Sequence, residues 1–290
     1  MEIRQALATA CSALGLERLD AQLLLLHALG RPQHDRAWLV AHDSDTLDPD
    51  TELRYRELTR MRAAGTPLAY LTGVHEFYGL ELQVDARVLD PRPDTETLVE
   101  WALSLLPPPL GEGGGEGHPA KIIDLGTGSG AIALALKHAR PDAQVSALDT
   151  SADALAVAQA NAQRLRLDVR FLQGNWLDGV NERFDLIVSN PPYIVEGDPH
   201  LEHLGHEPLM ALTSGLDGLD AIRAIIAQAP TRLVSGGWLL LEHGWDQAQA
   251  VQTLLSRAGF TNVQSRNDLA GIARCSGGQL SLSHPPAVRA

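Results

Sequence analysis

The spacing of apolar residues changes twice along this chain of 290 residues, and each change marks a change of architecture. Up to about residue 73 the spacing is helical. Ile3, Leu7 and Leu14 share a face, Asp20 to Leu29 is a leucine-rich segment stopped by Gly30 and Pro32, and an Asp-Pro start signal opens a helix over Pro49 to Ala64. From Glu76 to Val84 apolar and polar residues alternate with a period of two, and Val88-Leu89 follows closely, which predicts a hairpin between two domains. Pro91-Arg92-Pro93-Asp94 ends that segment and caps a helix over Thr95 to Leu106, and residues 107 to 119, mostly Pro and Gly, read as a surface insertion.

From Ala120 onward short apolar runs alternate with helical ones. Strands are predicted at Lys121–Leu125, Gln144–Leu148, Val169–Leu172, Phe184–Val188 and Trp238–Leu241. Helices are predicted at Ala131–Ala139, Ser151–Leu165 with a Ser N-cap, Leu219–Ala229 and Asp246–Ala258. This order implies an α/β domain with an open, mostly parallel sheet covered on both faces. Such sheets bind ligands at the carboxyl ends of their strands, near the point where strand order reverses.

Two stretches sit where strands end. Ser189-Asn190-Pro191-Pro192-Tyr193 follows the fourth predicted strand. Consecutive prolines fix two φ angles and remove two donors, leaving carbonyl oxygens as uncommitted acceptors. With an Asn amide on one side and a Tyr ring on the other, the stretch forms a clamp for a planar group bearing NH2. A rigid strand-to-loop turn with a surface Tyr is the alternative.

The second stretch is Asp124-Leu125-Gly126-Thr127-Gly128-Ser129-Gly130, which links the first strand of this region to a helix. Its glycines permit a tight turn and close approach by a ligand. Gly126, Gly128 and Ala131 also satisfy a relaxed dinucleotide fingerprint. Asp124, however, would oppose a pyrophosphate and suits a cationic ligand such as S-adenosylmethionine. Asp149, at the end of the second strand, is placed to hold ribose hydroxyls or else to cap the helix at Ser151. Asn175-Trp176 follows the third strand and suits an adenine edge and face, with a core Trp as the other reading.

Charge and cysteine content narrow the class. Acidic residues outnumber basic ones 36 to 23, a formal charge of −13, and Lys121 and Lys137 are the only lysines. That argues against a phosphate-tracking surface, so no direct nucleic-acid partner is expected. Arg54, Arg56, Arg60 and Arg62 cluster in one predicted helix, but Glu52 and Glu57 interleave with them and point to a solvated face. Cys11 and Cys275 have no metal or redox spacing. The leucine run Leu23–Leu26 is far too short to span a membrane, so the expectation is a soluble, cytoplasmic protein without a membrane partner.

The chain resembles the HemK/PrmC release-factor glutamine N5-methyltransferases over nearly its whole length. The resemblance is carried by Pro67-Leu68-Ala69-Tyr70-Leu71-Thr72-Gly73, Glu76-Phe77-Tyr78-Gly79, Pro91-Arg92-Pro93-Asp94-Thr95-Glu96, the Asp124 to Gly130 loop, Asn190 to Tyr193, and Leu240-Leu241-Glu242-His243-Gly244. It implies a small N-terminal helical domain recognising substrate (1–74), a β-hairpin linker (75–93) and a class I, Rossmann-like, seven-stranded methyltransferase domain (94–290). The implied donor is S-adenosyl-L-methionine. The implied substrate is the glutamine of the Gly-Gly-Gln motif in class 1 peptide-chain release factors, whose methylation supports translation termination, and the implied state is a monomer.

By the same resemblance the cofactor is held by Gly126, Thr127, Gly128, Ser129, Gly130, Asp149, Trp176 and Asn190, and the glutamine amide by Asn190, Pro191, Pro192 and Tyr193. Phe77 and Arg92 are expected to line the same mouth, and Glu242 and His243 to support the cleft. No metal is expected. Three departures stand out: Asn175 where an Asp is common, His206 before Glu207-Pro208 where an aromatic is common, and a tail after Arg274 without the usual Gly-Arg ending. Other readings of the same residues are a nucleobase methyltransferase, since an exocyclic NH2 has the same geometry, an inactive cofactor-binding adaptor, and a dehydrogenase. Gly277-Gly278-Gln279 repeats the supposed substrate tripeptide in the chain's own tail.

Overall fold

The computed structural model describes residues 1–107 and 118–281, so most of the Pro- and Gly-rich insertion read at 107–119 lies outside the described residues. It divides into two compact units, Met1–Val74 with Glu202–His206, and His75–Leu201 with Glu207–Ala290.

The first unit contains α1 (Ile3–Leu14), α2 (Arg18–Ala28), α3 (Arg36–Ala41), α4 (Pro49–Ala63) and α5 (Leu68–Thr72). Helix α2 touches the other four, which is why the consecutive Leu24, Leu25 and Leu26 are all buried. Asp48 caps α4 by accepting from the N–H groups of Asp50 and Thr51, with Pro49 in the first turn, the start signal read from sequence. On α4, Arg56 pairs with Glu52 and Arg62 with Asp20, so these two cations are already paired.

A hairpin of β1 (Val74–Phe77) and β2 (Leu80–Gln83) follows. The hairpin was expected over Glu76–Val84 and the nearby Val88-Leu89, and it begins two residues earlier and ends before Val88. The chain reverses at Tyr78-Gly79, both at positive φ, as a two-residue turn requires, and residues 84–92 form no strand. Asn161 fastens the hairpin by exchanging hydrogen bonds with the backbone N–H and C=O of Gln83 at 2.7 and 2.9 Å.

The second unit is built on α6 (Glu96–Leu105), β3 (Lys121–Leu125), α7 (Ala131–Ala139), β4 (Gln144–Asp149), α8 (Ala152–Leu165), β5 (Arg170–Gln173), β6 (Phe184–Ser189), α9 (Asp220–Gln228), β7 (Leu233–Glu242), α10 (Ala248–Arg257), β8 (Phe260–Asn267) and β9 (Ala273–Leu280). Among the described residues β3 to β9 make a seven-stranded sheet of order β5-β4-β3-β6-β7-β9-β8. The ladders from β5 to β7 are parallel, and β9 runs antiparallel to both β7 and β8. This is the α/β methyltransferase fold. Strand order reverses between β3 and β6, so the loops after these two strands face one another.

Strands β8 and β9 escaped the pattern reading because β9 is Ala-Arg-Cys-Ser-Gly-Gly-Gln-Leu, which has neither alternation nor an apolar run. Its Gly277 and Gly278 pair with Leu240 and Leu239 in the body of the sheet. The Gly-Gly-Gln triplet is therefore a strand segment, with the Gln279 amide donating to the Gly236 carbonyl at 2.9 Å and accepting from Asn262 at 2.8 Å.

Candidate active site

A cleft opens at the carboxyl ends of β3, β4, β5 and β6. It is bordered by Gly126 and Gly128, by Leu148 to Ser151, by Gly174, Asn175 and Trp176, and by Asn190 and Pro192. Arg87, Val88, Leu89, Pro208, Met210 and Ala211 also border it. Motif reading missed all six, because Arg87, Val88, Leu89 and Pro208 lie outside regular elements and Met210 and Ala211 sit in a 3-10 turn of three residues, too short to show a period.

The loop after β3 is held from within. Gly126 and Thr127 donate their N–H groups to the Leu148 carbonyl at 2.8 and 3.0 Å, Gly130 donates to Thr127 O at 2.8 Å, and Gly128 donates to Asp149 Oδ2 at 2.9 Å. Of the five loop residues, Gly126 and Gly128 border the cleft. Thr127 and Ser129 turn inward and are buried. Gly130 serves packing, since a Cβ there would lie 3.0 Å from Leu134 Cδ1 and 3.2 Å from Ala158 Cβ.

Asp149 accepts from two backbone donors, Gly128 and Ser151, each at 2.9 Å and each on a different oxygen. A carboxylate has about four lone-pair sites, so both oxygens retain capacity toward the cleft. The ribose and capping readings are thus compatible. Trp176 sits at positive φ, packs on the core of the second unit, and lies 3.5 Å from where a Gly126 Cβ would be. Its indole both closes the core and walls the cleft, and Asn175 stands beside it.

Asp124 was expected to face the ligand. It is instead fully buried beneath the loop, accepting from Thr127 Oγ1 at 2.6 Å and the Ala133 N–H at 3.3 Å, while its Oδ1 has no partner among the described residues. Burial pushes this carboxyl up to about 7, despite the stabilising Thr127 hydroxyl. The chemistry of the loop nevertheless bears on the ligand. With the N–H groups of Gly126, Thr127, Gly128 and Gly130 committed internally and an acid below, the loop offers a pyrophosphate a poor site. A donor lacking phosphates, with ribose hydroxyls for Asp149 and an adenine for Trp176, fits these residues.

The loop after β6 carries the clamp. Ser189 donates to the Leu125 carbonyl at 2.7 Å and ties this loop to its neighbour. Asn190 and Pro192 border the cleft, whereas Pro191 and Tyr193 do not. The Asn190 amide donates through Nδ2 to Thr95 Oγ1 at 3.2 Å, and the Tyr193 hydroxyl donates to Glu242 Oε1 at 3.3 Å. Glu242 is fully buried, with Oε2 unpartnered among the described residues. Burial pushes it up to about 7, opposed first by the Thr95 hydroxyl and then by that of Tyr193. Glu242 therefore lies behind the clamp as support, a place that its position at the end of β7 suggested.

His243 is also buried, with Nε2 2.8 Å from Ser276 Oγ and Nδ1 2.8 Å from Gly244 O, and it does not border the cleft. Phe77 does not line the mouth either: it is a fully buried core side chain of the hairpin. Arg92 pairs with the buried Glu207 at 2.5 Å and is likewise absent from the cleft wall. Gln247, unremarked in the sequence, accepts from Gly244 N and donates to the Tyr193 and Asp217 carbonyls at 3.1 and 3.3 Å, holding the end of the clamp.

The chain matches the family models of the PrmC N-terminal domain over residues 2–73 and the methyltransferase small domain over residues 110–207. It is 51% identical over 271 residues to the release factor glutamine methyltransferase of Bordetella pertussis, covering 92% of this chain and 96% of that one. It is 49% identical over 276 residues to the protein of the same name from Burkholderia pseudomallei, covering 91% and 93%. A solved methyltransferase from Pyrococcus furiosus shares the fold at 17% identity, with a TM-score of 0.53 over 78% of this chain and 98% of that one. With relatives of this identity and coverage, the chain belongs to the release factor glutamine methyltransferase family.

Proposed function

We propose that this protein methylates the side-chain amide nitrogen, N5, of the glutamine in the Gly-Gly-Gln motif of class 1 peptide-chain release factors, with S-adenosyl-L-methionine as donor. The observation that carries the reading is the Asn190 amide. Its nitrogen is committed to Thr95, so its oxygen is left to accept from an NH2 in the cleft. Family membership supplies the substrate class.

When bound, S-adenosylmethionine supplies a methyl carbon made electrophilic by its sulfonium. Asp149 holds the ribose, Trp176 with Asn175 the adenine, and Gly126 and Gly128 admit the donor close to the backbone. Thr127, Ser129 and Gly130 act by shaping the loop. The substrate nitrogen is a poor nucleophile because its lone pair is delocalised, as the roughly 18–20 kcal/mol barrier to amide rotation indicates. Asn190 Oδ1 accepts from that NH2 and the Pro191 or Pro192 carbonyl takes the second hydrogen, so the lone pair is directed into the cleft. Tyr193 packs the clamp from behind. One preorganised hydrogen-bonding group contributes about 2.7–4 kcal/mol in comparable roles, and near-attack positioning about 7–11 kcal/mol. Together these favour partial pyramidalisation over full loss of conjugation. The surplus proton of the methylated amide passes to solvent without a dedicated base.

In this reading residues 1–74 recognise the release factor, 75–93 link and 94–290 carry the chemistry. The protein acts as a cytoplasmic monomer without nucleic acid. Among the described residues no helix is long and apolar enough to cross a membrane. The test is methyl transfer from labelled donor to purified release factors, against a Gln→Ala substrate control and against RNA and DNA. Label on the control or on nucleic acid in place of the release factor would reject the reading.

A further inference from the structure

We propose that the loops along one half of the sheet's carboxyl edge, from β6 to β8, form an apolar docking surface for the protein that carries the substrate glutamine. The inference rests on the function proposed above and adds to it the surface on which that partner is seated.

Single exposed apolar side chains are ordinary on a folded protein, so exposure by itself decides nothing. Their distribution does. Among the described residues of the second unit, the exposed large apolar side chains are Leu209, Met210, Leu216, Trp245, Leu269 and Ile272, and helices α6 to α10 carry none. All of them lie on chain that leaves one edge of the sheet. Leu209, Met210 and Leu216 follow β6, Trp245 follows β7, and Leu269 and Ile272 lie between β8 and β9. Because β9 runs antiparallel to β7 and pairs Cys275 with Glu242, the β8–β9 turn emerges where β7 ends. None of the described residues between β3 and β6 adds to the set, although the loops after β3, β4 and β5 leave the same edge. Those are the loops that the proposed function gives to the donor. The apolar side chains thus gather on the half assigned to the acceptor.

The loops that carry them are tied to one another. His243 donates its N–H to the Arg274 carbonyl at 2.9 Å, which joins the loop after β7 to β9. Gln247 donates to the Asp217 and Tyr193 carbonyls at 3.3 and 3.1 Å, which joins the same loop to the neighbour of Leu216 and to the clamp. Asp268 fixes the β8–β9 turn by accepting from the Ala270 and Ile272 N–H groups, each at 2.9 Å, and from Arg274 Nε at 3.1 Å. Leu216 and Trp245 are 87% and 69% exposed on this support, and Leu269 is wholly exposed. Side chains held on hydrogen-bonded loops lose little freedom when a partner covers them, and an exposed Trp is a common anchor of protein interfaces.

The position of the surface selects its occupant. Met210 belongs to it and also borders the cleft, so the surface is continuous with the mouth through which the acceptor enters. A glutamine within a protein brings its flanking chain onto that rim, and apolar loops there fit an apolar patch beside the glutamine. A second copy of this chain or a lipid surface has no need to seat itself on the acceptor half of a catalytic edge.

The experiment combines Leu216→Ser, Trp245→Ser and Leu269→Ser in the full chain, at three exposed positions that do not border the cleft. Calorimetry reads binding of a purified release factor and of S-adenosylmethionine, and kinetics read kcat and KM with the release factor and with a short Gly-Gly-Gln peptide. The combined variant is expected to bind the release factor at least tenfold more weakly and to raise KM in step, with donor affinity, peptide turnover and kcat at saturation within about twofold. Unchanged release-factor binding overturns the proposal, as does a donor affinity or peptide turnover that falls as far as that binding. If the unaltered protein does not turn over the peptide, the two calorimetric arms decide. Sedimentation and flotation with phosphatidylcholine vesicles test the other occupants. Self-association or vesicle binding that the combined variant abolishes while release-factor binding persists also overturns the proposal. Binding is read without turnover, so an unaltered protein that binds the release factor through this surface but leaves its glutamine unmethylated sinks the functional reading and leaves the docking surface standing.

Discussion

The backbone N–H of Gly128 donates to Oδ2 of Asp149 across 2.9 Å, joining the glycine loop after β3 to the acid that ends β4. The acid shapes the loop from which it would hold the donor. Asp149→Ala is therefore expected to weaken S-adenosylmethionine binding by at least about tenfold, or about 1.4 kcal/mol, because it removes ribose acceptors and releases two backbone donors together. Asp149→Asn keeps one acceptor and should lose less. Calorimetry on the two variants checks the order.

Asn190→Ala removes the acceptor aimed into the cleft and leaves Thr95 without its donor. At saturating substrate kcat should fall about 10²–10³-fold, the cost of one preorganised hydrogen-bonding group. Normal turnover would refute the clamp.

Asp124 gives a pH prediction. Its folded carboxyl, pushed up to about 7 by burial, binds a proton that the unfolded chain releases near 4. Thr127, Ala133 N–H and the nearby Asp149 face it. A raised acid contributes most below its unfolded value, and that contribution is lost as pH rises through about 7. In Asp124→Asn the stability difference from the unaltered protein should shift in the variant's favour by up to about 1.4 kcal/mol per pH unit between pH 5 and 7. Urea unfolding at pH 5, 6, 7 and 8 reads the difference, and parallel profiles would reject the assignment.

Gly277 has no room for a side chain: a Cβ there would stand 2.5 Å from Leu240 Cδ2, 2.7 Å from Leu239 O and 2.9 Å from Trp101. Gly277→Ala should destabilise the fold by about 1–3 kcal/mol through overpacking. Because both ends of the Gln279 amide are hydrogen-bonded within the sheet region, mass spectrometry of protein incubated with donor should find no methyl group there.

Much of the fold was legible because its parallel strands are buried on both faces and spell themselves as apolar runs, as Phe184–Ser189 does. Strand β9 was not, because close packing against Trp101 and Phe260 selected glycine where a strand reader looks for Val or Ile. The site was legible in the residues that motifs name, Gly126, Asp149, Trp176 and Asn190. Thr95 and Glu242 carry no motif chemistry of their own, and they meet the clamp through hydrogen bonds from Asn190 and Tyr193, side chains distant from them in sequence. Val88-Leu89 border the cleft from chain without regular structure and Met210 from a three-residue 3-10 turn, and neither stretch is long enough to show a period.

Leu125 and Ser189 occupy paired positions on adjacent parallel strands, and the donor loop leaves from one while the clamp leaves from the other. The span between their roots is thus one strand spacing, about 4.8 Å, fixed by the backbone ladder and indifferent to side chains. The sheet thus fixes how far apart the two loops begin to which the proposed function gives donor and acceptor. Changing the side chains of either loop leaves that starting separation as it is, because the backbone ladder sets it.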